Sequence, residues 1–577
     1  MQLIKYGQKK HPYLSVSILW LMTFCALGRF DIEGVVPFNY LSVIIFAVLA
    51  VIGETLYLKK QSLDEQKVKS ALKKACLFIG AGTVFILLML YIFSIVPSMP
   101  QISGRNIAVP MFFVAVFFIA AASYLTFRKK WSEYRAVVFI LSVSFVFHLL
   151  FSLNSALLYQ WDQGAFFSTG NGHMGYIEYI YNHLSLPQFD PREKWQYYHP
   201  PLHHLTAALF LRIQTMFGVN LRIAIYNIQY LPLLYYMFTL IIFYRLSKLL
   251  GVKKPYTILL VIIMSFSPAF FYMANYINND MMSVMFMMLS VYCAVKWYLS
   301  LTAADIIRTA FAFGFGMLTK LSVWMAAVPI AILFIAALTE NLKNKHYPEF
   351  RRLFAQMWAF LGIAAPLSFY WSIRNYIRFG VPIGYIPVIN DDSQLIPQSA
   401  AQRLFDFNLS QFDQTWVAAV RENDAYNEYN PLIALIKSSA SVMKEATVFN
   451  RLLLVTTIVL CVISFVSMVI VILKKNVMKP VFLIAVTLFY ITLMLSYYLF
   501  CLKYPHVCTE DIRYASPVIY IGALFISLAA GRIQFRKQKL SSVCRIALSV
   551  LTAAYSALSL AVMIYDITYT SLILNFA

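Results

Sequence analysis

Charge is scarce in this sequence. Only 12% of its 577 residues are Asp, Glu, Lys or Arg, whereas 60% are hydrophobic, and the mean hydropathy is +0.69. A water-soluble protein of this length needs a much more polar surface. The composition therefore excludes a soluble globular protein and indicates that lipid surrounds most of the chain.

Cysteine clusters and strand patterns are also missing. The seven cysteines are scattered, with no CxxC pair and no Cys/His cluster at metal-ligand spacing, so neither a structural zinc site nor a disulfide framework is expected. A single bridge between Cys501 and Cys508, which bracket a short loop, remains an alternative. The polar/apolar alternation of strands is absent, which leaves helices as the membrane-spanning elements.

Apolar runs long enough to cross a hydrocarbon core of about 30 Å recur from end to end of the chain. They predict an all-α, polytopic transmembrane bundle of about 15 spans. The predicted spans are 13–29, 38–58, 75–96, 107–127, 136–153, 223–244, 256–273, 281–299, 303–318, 321–339, 354–373, 450–473, 480–500, 513–530 and 545–566. A shorter segment, 201–217, follows Pro200-Pro201 and is predicted to be a re-entrant or interfacial helix.

The net charge of +22 reports topology here rather than a nucleic-acid partner, because the basic residues cluster at span ends. If segment 201–217 does not cross, 31 of the 47 lysines and arginines fall on one side, which the positive-inside rule makes cytoplasmic. The polar loops 154–200, 374–449 and 501–512 then lie outside. The chain is expected in the cell membrane, with its site on the extracytoplasmic side.

Four regions are predicted from this map. Residues 1–130 form accessory N-terminal spans, and residues 131–385 form a catalytic transmembrane core that includes the first outer loop, 154–200. Residues 386–449 form a further outer-loop region; the whole loop, 374–449, is too long for a simple connector and is expected to contain one or two amphipathic helices that lie on the membrane. Residues 450–577 form the C-terminal spans.

The outer loops carry the residues that are suited to chemistry. Ionisable groups at a membrane interface are costly, and for that reason they are commonly functional. The alternative is that the aromatic residues form an interfacial belt and the histidines satisfy backbone carbonyls. The candidate residues are Asp162, His173, Glu178, Tyr198, His199, His203, Asp280, Lys320, Arg374 and Arg513.

Several short motifs resemble one family. An Asp follows a span, residues 172–177 read G-H-M-G-Y-I, and residues 198–202 read Y-H-P-P-L at the start of a helix. This order resembles the C-type membrane glycosyltransferases, in particular the branch of protein O-mannosyltransferases and lipid A aminoarabinose transferases. Further matches in the same order are Asn278-Asn279-Asp280, Leu318-Thr319-Lys320, Arg374-Asn375 with Gly380 and Pro382, and Arg513-Tyr514 with Pro517.

The resemblance implies transfer of a sugar from a polyprenyl-phosphate carrier to an acceptor at the outer face, with Asp162 as the general base of an inverting reaction. A carboxylate opposite the leaving group is suited to deprotonate an incoming hydroxyl. Family members often have Asp-Glu where this chain has Asp162-Gln163. Glu178, Asp190 and Glu193 therefore remain alternative bases.

A phosphate at headgroup level needs cations, and Lys320, Arg374 and Arg513 are the candidates. His199, which has an extended backbone before Pro200, and either His203 or its neighbour His204 are candidate phosphate contacts. For Lys320 the alternative role is snorkelling to the interface.

The remaining candidates are interpreted as acceptor-side or loop-ordering residues: His173, Glu178, Tyr198 and Asp280. At a helix start, Asp280 is more typical of an N-cap or dipole partner than of a metal ligand. No cofactor and no metal site are predicted, although some members of the superfamily use a divalent metal, which stays an alternative.

Two other functions are weighed against the transferase. A transporter or flippase of lipid-linked sugars would place its charges near the bilayer midplane, whereas here they lie at span ends. A non-catalytic assembly partner or channel subunit would leave the outer polar residues unexplained. The sugar stays open, and the acceptor is an envelope polymer, a lipid-linked glycan or a protein.

Overall fold

The computed structural model describes residues 131–154, 170–216, 218–388, 394–412, 429–440, 447–474, 477–532 and 538–574, with single positions before residue 130. Across these ranges the secondary structure is helical, and β structure is limited to an isolated bridge between Leu395 and His506. The first four predicted spans lie outside the described residues, apart from those single positions.

The described helices are, in chain order, α1 (Glu133–Asn154), α2 (Gly172–His183), α3 (Leu202–Met216), α4 (Leu221–Asn227), α5 (Tyr230–Leu249), α6 (Lys254–Ser265), α7 (Pro268–Met273), α8 (Asp280–Ser300), α9 (Ala303–Met317), α10 (Ala327–Lys343), α11 (Tyr347–Phe379), α12 (Ala400–Phe405), α13 (Pro431–Ala440), α14 (Val448–Leu473), α15 (Pro480–Lys503), α16 (Pro517–Arg532) and α17 (Gln538–Leu574). Short 3-10 helices are Leu321–Ala326, Leu409–Phe412, Val507–Thr509 and Ile512–Tyr514.

Seven helical segments of the described chain are long and apolar enough to cross a membrane: Leu221–Leu249, Asp280–Ser300, Leu321–Lys343, Tyr347–Phe379, Val448–Leu473, Pro480–Lys503 and Ser542–Tyr565. The expected all-α, polytopic membrane bundle is confirmed, while the count of about 15 spans stays a prediction. Helix α3 has 15 residues and is about 22 Å long, too short to cross the hydrocarbon core alone.

The predicted continuous span 256–273 is wrong, because the helix breaks in the middle. Helix α6 ends at Ser265, and α7 begins at Pro268. Proline has no backbone N–H, so Pro268 cannot donate to the carbonyl four residues earlier, that of Met264. A break inside a membrane bundle is stable only if the freed carbonyls find other donors.

Three neighbouring helices supply those donors. The Tyr236 hydroxyl of α5 donates to Met264 O at 3.0 Å, and the Ser144 hydroxyl of α1 donates to Ser265 O at 3.0 Å. The Ser559 hydroxyl of α17 donates to Phe266 O at 2.6 Å. The break is therefore stabilised by hydrogen bonds between α6 and three other helices. It also allows α7 to lead into the buried turn before α8.

The turn before α8 and the end of α9 meet at the same end of the bundle, which we call the site end; α11 also ends there. The Asn279 side-chain amide donates to Thr319 O at 3.0 Å, which fixes the start of α8 against the end of α9. Close packing of α9 requires glycine, because a methyl group at Gly314 would lie 2.7 Å from Leu367 Cβ of α11. These contacts position residues 280 and 320 side by side.

The long loop between α11 and α14 packs at the site end. It contains the predicted helices, α12 and α13, although α13 is largely buried, with Ile433 and Lys437 in its interior face. Arg403 of α12 pairs with Glu510 at 2.7 Å, and their side chains are only 2% and 1% exposed. Arg403 also donates to Tyr429 O at 3.3 Å. This buried ion pair attaches the long loop to residues 504–516, which we call the late loop.

Removing one member of a buried ion pair leaves the other charge poorly compensated, at a cost of about 3–5 kcal/mol. We therefore expect Arg403→Met to lower the thermal midpoint of the detergent-purified protein clearly. The double variant Arg403→Met/Glu510→Gln removes both charges and is expected to recover most of that loss. The measurement is the fraction that stays monodisperse after heating, and equal midpoints for wild type and Arg403→Met would contradict the expectation.

Candidate active site

Lys320 and Asp280 form an ion pair at the site end. The Lys320 ammonium donates to Asp280 Oδ1, and the two side chains are 15% and 5% exposed. Asp280 lies in the first turn of α8, where the helix dipole stabilises a carboxylate. Its Oδ2 also accepts from the Asn278 amide at 3.1 Å. Two of the predicted site residues are thus held together by a turn that the sequence flagged.

The late loop adds a second cation beside this pair. The Arg513 guanidinium carbon lies 4.9 Å from the centre of the Tyr514 ring, and Lys320 Nζ lies 5.2 Å from the centre of the same ring. Arg513 also donates to Cys508 O at 3.3 Å. Cations are attracted to the faces of aromatic rings. Tyr514 therefore sets the spacing between two positive charges that come from distant parts of the chain.

Asp511 is a site residue that the sequence analysis missed. Its Oδ1 accepts from the Arg513 backbone N–H at 2.9 Å, and its Oδ2 is 3.8 Å from Arg513 Nε. Burial and the nearby Asp280 carboxylate raise the pKa of Asp511 to about 6, against the opposing effects of the Arg513 N–H and Lys320. Its side chain is still 34% exposed. The local signal was an Asp two residues before the Arg, where it caps a 3-10 turn.

Histidines of the first loop and of α3 form a stack near Lys320. His173 Nδ1 and His204 Nε2 share a hydrogen bond of 3.0 Å, and the ring centres of His173 and His199 are 5.5 Å apart. Burial, together with neighbouring imidazoles and the Lys320 charge, lowers the pKa of His173 and of His199 well below the ordinary value. His203 is fully buried with its ring centre 5.4 Å from that of His204. These imidazoles are therefore neutral near pH 7.

Tyr198 contacts α11 through its backbone carbonyl and His199 through its ring. Its backbone carbonyl accepts from Trp371 Nε1 of α11 at 3.1 Å, and its ring centre is 4.1 Å from that of His199. Burial and the Asp280 carboxylate raise the pKa of Tyr198 above its ordinary value, so the hydroxyl stays protonated. Tyr198 thus lies within the electrostatic reach of the ion pair.

Arg374 is engaged by the first loop. Its guanidinium donates to Pro187 O and to Asn375 Oδ1, and it lies 4.7 Å from the Trp371 ring centre. In the opposite direction, Arg192 Nη2 of the first loop donates to Phe379 O of α11 at 2.8 Å. The hydrogen bonds of Arg374 therefore hold residues 187–192 against the end of α11 rather than extending to the Lys320–Asp280 pair.

The predicted bases are placed unevenly. Asp162 lies outside the described residues. Asp190 is paired with Arg192 at 2.5 Å on the surface, Glu193 is exposed, and Glu178 is half-buried on α2 near Tyr197. The three described candidates, Glu178, Asp190 and Glu193, lie on α2 and in the first loop. The Lys320–Asp280 pair, by contrast, is formed at the start of α8 and the end of α9.

The described residues contain neither a metal-ligand cluster nor a disulfide between Cys501 and Cys508. Within the described ranges, no group of three His, Cys, Asp or Glu side chains is arranged to hold a metal ion. Metal independence stays a prediction. Cys501 and Cys508 are free thiols, and Cys501 Sγ donates to Thr509 O at 3.4 Å, so the alternative of a bridge between them is wrong.

Residues 209–380 match the family model of dolichyl-phosphate-mannose-protein mannosyltransferases, which confirms the resemblance to that branch over this segment. No curated protein matches the chain. Among solved structures, the chain is similar to the oligosaccharyltransferase AglB of Archaeoglobus fulgidus in complex with an inhibitory peptide and a dolichol-phosphate, with 12% identity, a TM-score of 0.47, and coverage of 75% of this chain and 56% of that chain. It thus spans about half the length of that enzyme.

The chain is also similar to ArnT of Cupriavidus metallidurans. The apo structure of ArnT gives 15% identity, a TM-score of 0.32, and coverage of 69% of this chain and 77% of that chain. The structure bound to undecaprenyl phosphate gives 15% identity, a TM-score of 0.31, and coverage of 69% and 78%.

The contacts of Arg374 generate a prediction about the first loop. Arg374→Met removes the bonds to Pro187 O and Asn375, so we expect backbone amides of residues 184–192 to exchange hydrogen about tenfold faster, as loss of roughly one charged hydrogen bond implies. Hydrogen exchange followed by mass spectrometry measures this. The exposed neighbour Ile377 supplies the control Ile377→Met, and identical exchange in both variants would contradict the assignment.

Proposed function

We propose that this protein is a glycosyltransferase that moves a sugar from a polyprenyl-phosphate carrier to an acceptor hydroxyl at the extracytoplasmic face of the cell membrane. One observation carries the proposal: Lys320 Nζ and the Arg513 guanidinium carbon lie 5.2 Å and 4.9 Å from the centre of the Tyr514 ring at the site end, beside the carboxylates Asp280 and Asp511. The family match over residues 209–380, which includes Asp280 and Lys320, supports the same class of reaction.

The donor phosphate would bind between the two cations. Lys320 supplies an ammonium and Arg513 a planar guanidinium, and each forms charge-assisted hydrogen bonds with phosphate oxygens. Both side chains are less than one-sixth exposed, so water competes weakly for them. A lipid-anchored phosphate reaches this depth because its carrier occupies the surrounding hydrocarbon, whereas a soluble sugar nucleotide has no such anchor.

The reaction would be a single displacement. The acceptor oxygen attacks the anomeric carbon, its proton passes to a carboxylate, and the bond between the anomeric carbon and the phosphate oxygen breaks, with inversion. We assign the base to Asp162, which follows a predicted span at the start of the first outer loop. Glu178 is the alternative base within the described residues.

The neutral imidazoles would serve the donor rather than move protons. A neutral imidazole has one N–H to donate, and His199, with its ring near Lys320, would give it to a phosphate oxygen. His203 is a second candidate contact. His173 and Tyr198 order the first loop through His204 and Trp371. Arg374 acts through Pro187 as a positioning residue of that loop.

The partners follow from this chemistry: a polyprenyl-phosphate-linked sugar, membrane lipids, and an acceptor that is an envelope polymer, a lipid-linked glycan or a protein. A hexose such as mannose is the first donor to test, since the matching family model is named for it. Nucleic acid is not a proposed partner, and we propose that no metal ion takes part. Residues 131–385 would form the catalytic core.

The role of Asp162 is tested with Asp162→Asn in lipid-reconstituted protein supplied with undecaprenyl-phosphoryl mannose and a membrane extract as acceptor source. Loss of a general base should lower kcat by about 100-fold or more while the donor KM stays within a few-fold. Glu178→Gln tests the alternative base and should retain activity if Asp162 is the base, and Glu349→Gln, at the opposite end of the bundle, is the carboxyl-removal control. Undiminished transfer by Asp162→Asn would overturn the assignment.

The role of Lys320 is tested by charge removal. Loss of a charge-assisted bond to phosphate, worth about 1.5–3 kcal/mol, should raise the donor KM about 10- to 100-fold. Lys320→Met alone leaves Asp280 buried without its cation, so Lys320→Met/Asp280→Asn is measured beside it to separate folding from binding. Lys345→Met, at the opposite end of the bundle, is the control. An unchanged donor KM in a well-folded double variant would refute the phosphate site.

A further inference from the structure

We infer that Asp511 is a second catalytic carboxyl group, which gives a proton to the phosphate oxygen that leaves the anomeric carbon. This inference rests on the proposed function and assigns a role to a residue outside the motifs discussed above.

The two ion pairs beside Tyr514, Lys320–Asp280 and Arg513–Asp511, sum to zero charge when all four side chains are ionised. Lys320 is paired with Asp280, and Arg513 faces Asp511 at 3.8 Å. A donor phosphodiester adds one negative charge to this neutral set. When the sugar leaves, the carrier phosphate becomes a monoester and gains a second negative charge. In a partly desolvated site this excess is costly unless one of the anions takes a proton.

The contacts show which of the two carboxylates, Asp280 or Asp511, takes up a proton more readily. Asp280 is 5% exposed and is held by the Lys320 ammonium and the Asn278 amide. Asp511 is 34% exposed, accepts one backbone N–H, and meets the Arg513 guanidinium only at 3.8 Å, beyond hydrogen-bond length. Asp511 is thus the less firmly bound carboxylate, and it is the more accessible to an incoming phosphate.

The surroundings of Asp511 support a bound proton. Besides its own loop, the late-loop turn packs against α7, α13 and α15, and the Tyr514 ring faces Lys320 at the end of α9. The ionisable groups of other elements that act on Asp511 are Asp280, Lys320 and Tyr497, and Lys437 of α13 and Tyr198 of the first loop lie around the same turn. The Lys437 ammonium donates to Gln411 O, and the Lys320 ammonium donates to Asp280, whereas Lys320 acts on Asp511 only through its charge. The raised pKa of Asp511, about 6, agrees with this arrangement.

The proton balance of the step is complete. The acceptor hydroxyl loses its proton to the general base, and the bond from the anomeric carbon to the phosphate oxygen breaks with its electron pair on that oxygen. Protonated Asp511 gives its proton to this oxygen, so the carrier leaves as a monoanion and Asp511 becomes a carboxylate beside Arg513. No metal or co-reactant enters the step. Solvent, which reaches Asp511, returns the proton before the next turnover.

The sign of the pH dependence follows. Activity requires protonated Asp511, and its pKa is raised to about 6, so about half of the free enzyme is active at that pH, nearly all of it at about one pH unit below, and the active fraction approaches a tenfold fall per pH unit above it. The profile of kcat/KM for wild type should therefore have a descending limb that starts near pH 6. Binding of the anionic donor moves the limb of kcat to higher pH, because a nearby negative charge favours the protonated carboxyl group.

The test uses the full-length protein in lipid nanodiscs, with undecaprenyl-phosphoryl mannose as donor. Asp511→Asn keeps the acceptor atom for the Arg513 N–H but cannot give a proton; its kcat should fall about 100-fold, its donor KM should stay equal or drop, and its descending limb should vanish. Asp511→Glu should restore part of kcat and the limb. Glu349→Gln, on the opposite end of the bundle, is the carboxyl-removal control.

A second readout needs no turnover. Titration calorimetry of the donor at pH 7 in two buffers of different ionisation enthalpy gives the protons taken up on binding, and wild type should take up more than Asp511→Asn. Equal uptake, or an Asp511→Asn enzyme with normal kcat and an unchanged limb, would overturn the inference. Failure of wild type to bind or use the donor would refute the proposed function, and this inference with it.

Discussion

The Lys320–Asp280 ion pair is the interaction around which the site end is organised. A lysine ammonium in an apolar bundle must have an anion nearby, and a carboxylate at the start of α8 is stabilised there by the helix dipole as well. The pair forms only if α8 begins where α9 ends, which the bond from Asn279 to Thr319 O secures. The late loop and the histidine stack are then arranged around a fixed, nearly neutral centre.

This centre holds two cations close together. Tyr514 holds the second cation near the first through ring faces, which keeps both charges close without neutralising either. The first loop approaches from the other side and is fastened to α11 through Arg374, Arg192 and Trp371. Four chain segments that are far apart in sequence thus supply two cations with a carboxylate beside each, an arrangement suited to a phosphate whose charge changes during reaction.

Much of this was predictable from the sequence, and the rest depends on neighbours that no local pattern reveals. Spans such as 281–299 and 450–473 follow from hydropathy alone, and Lys320 and Asp280 stood out because charge is rare in this chain. The break at Pro268 was missed, since the run 256–273 stays apolar throughout and its stability comes from hydroxyls on three other helices. Asp511 was missed because its raised pKa comes from burial in the folded bundle and from the carboxylate of Asp280, which lies 231 residues earlier.

The junction at the α6–α7 break has a consequence for how the protein is made. Ser559, which donates to Phe266 O, lies 293 residues later in the chain, in the last helix. Until that helix has been synthesised and inserted, this carbonyl lacks its hydroxyl donor inside the membrane, where no water replaces it. Arg513 of the late loop likewise follows Lys320 by 193 residues. Neither the junction nor the pair of cations can therefore form until segments far downstream of α6 and α9 have been inserted, so the site is completed well after the helices that begin it.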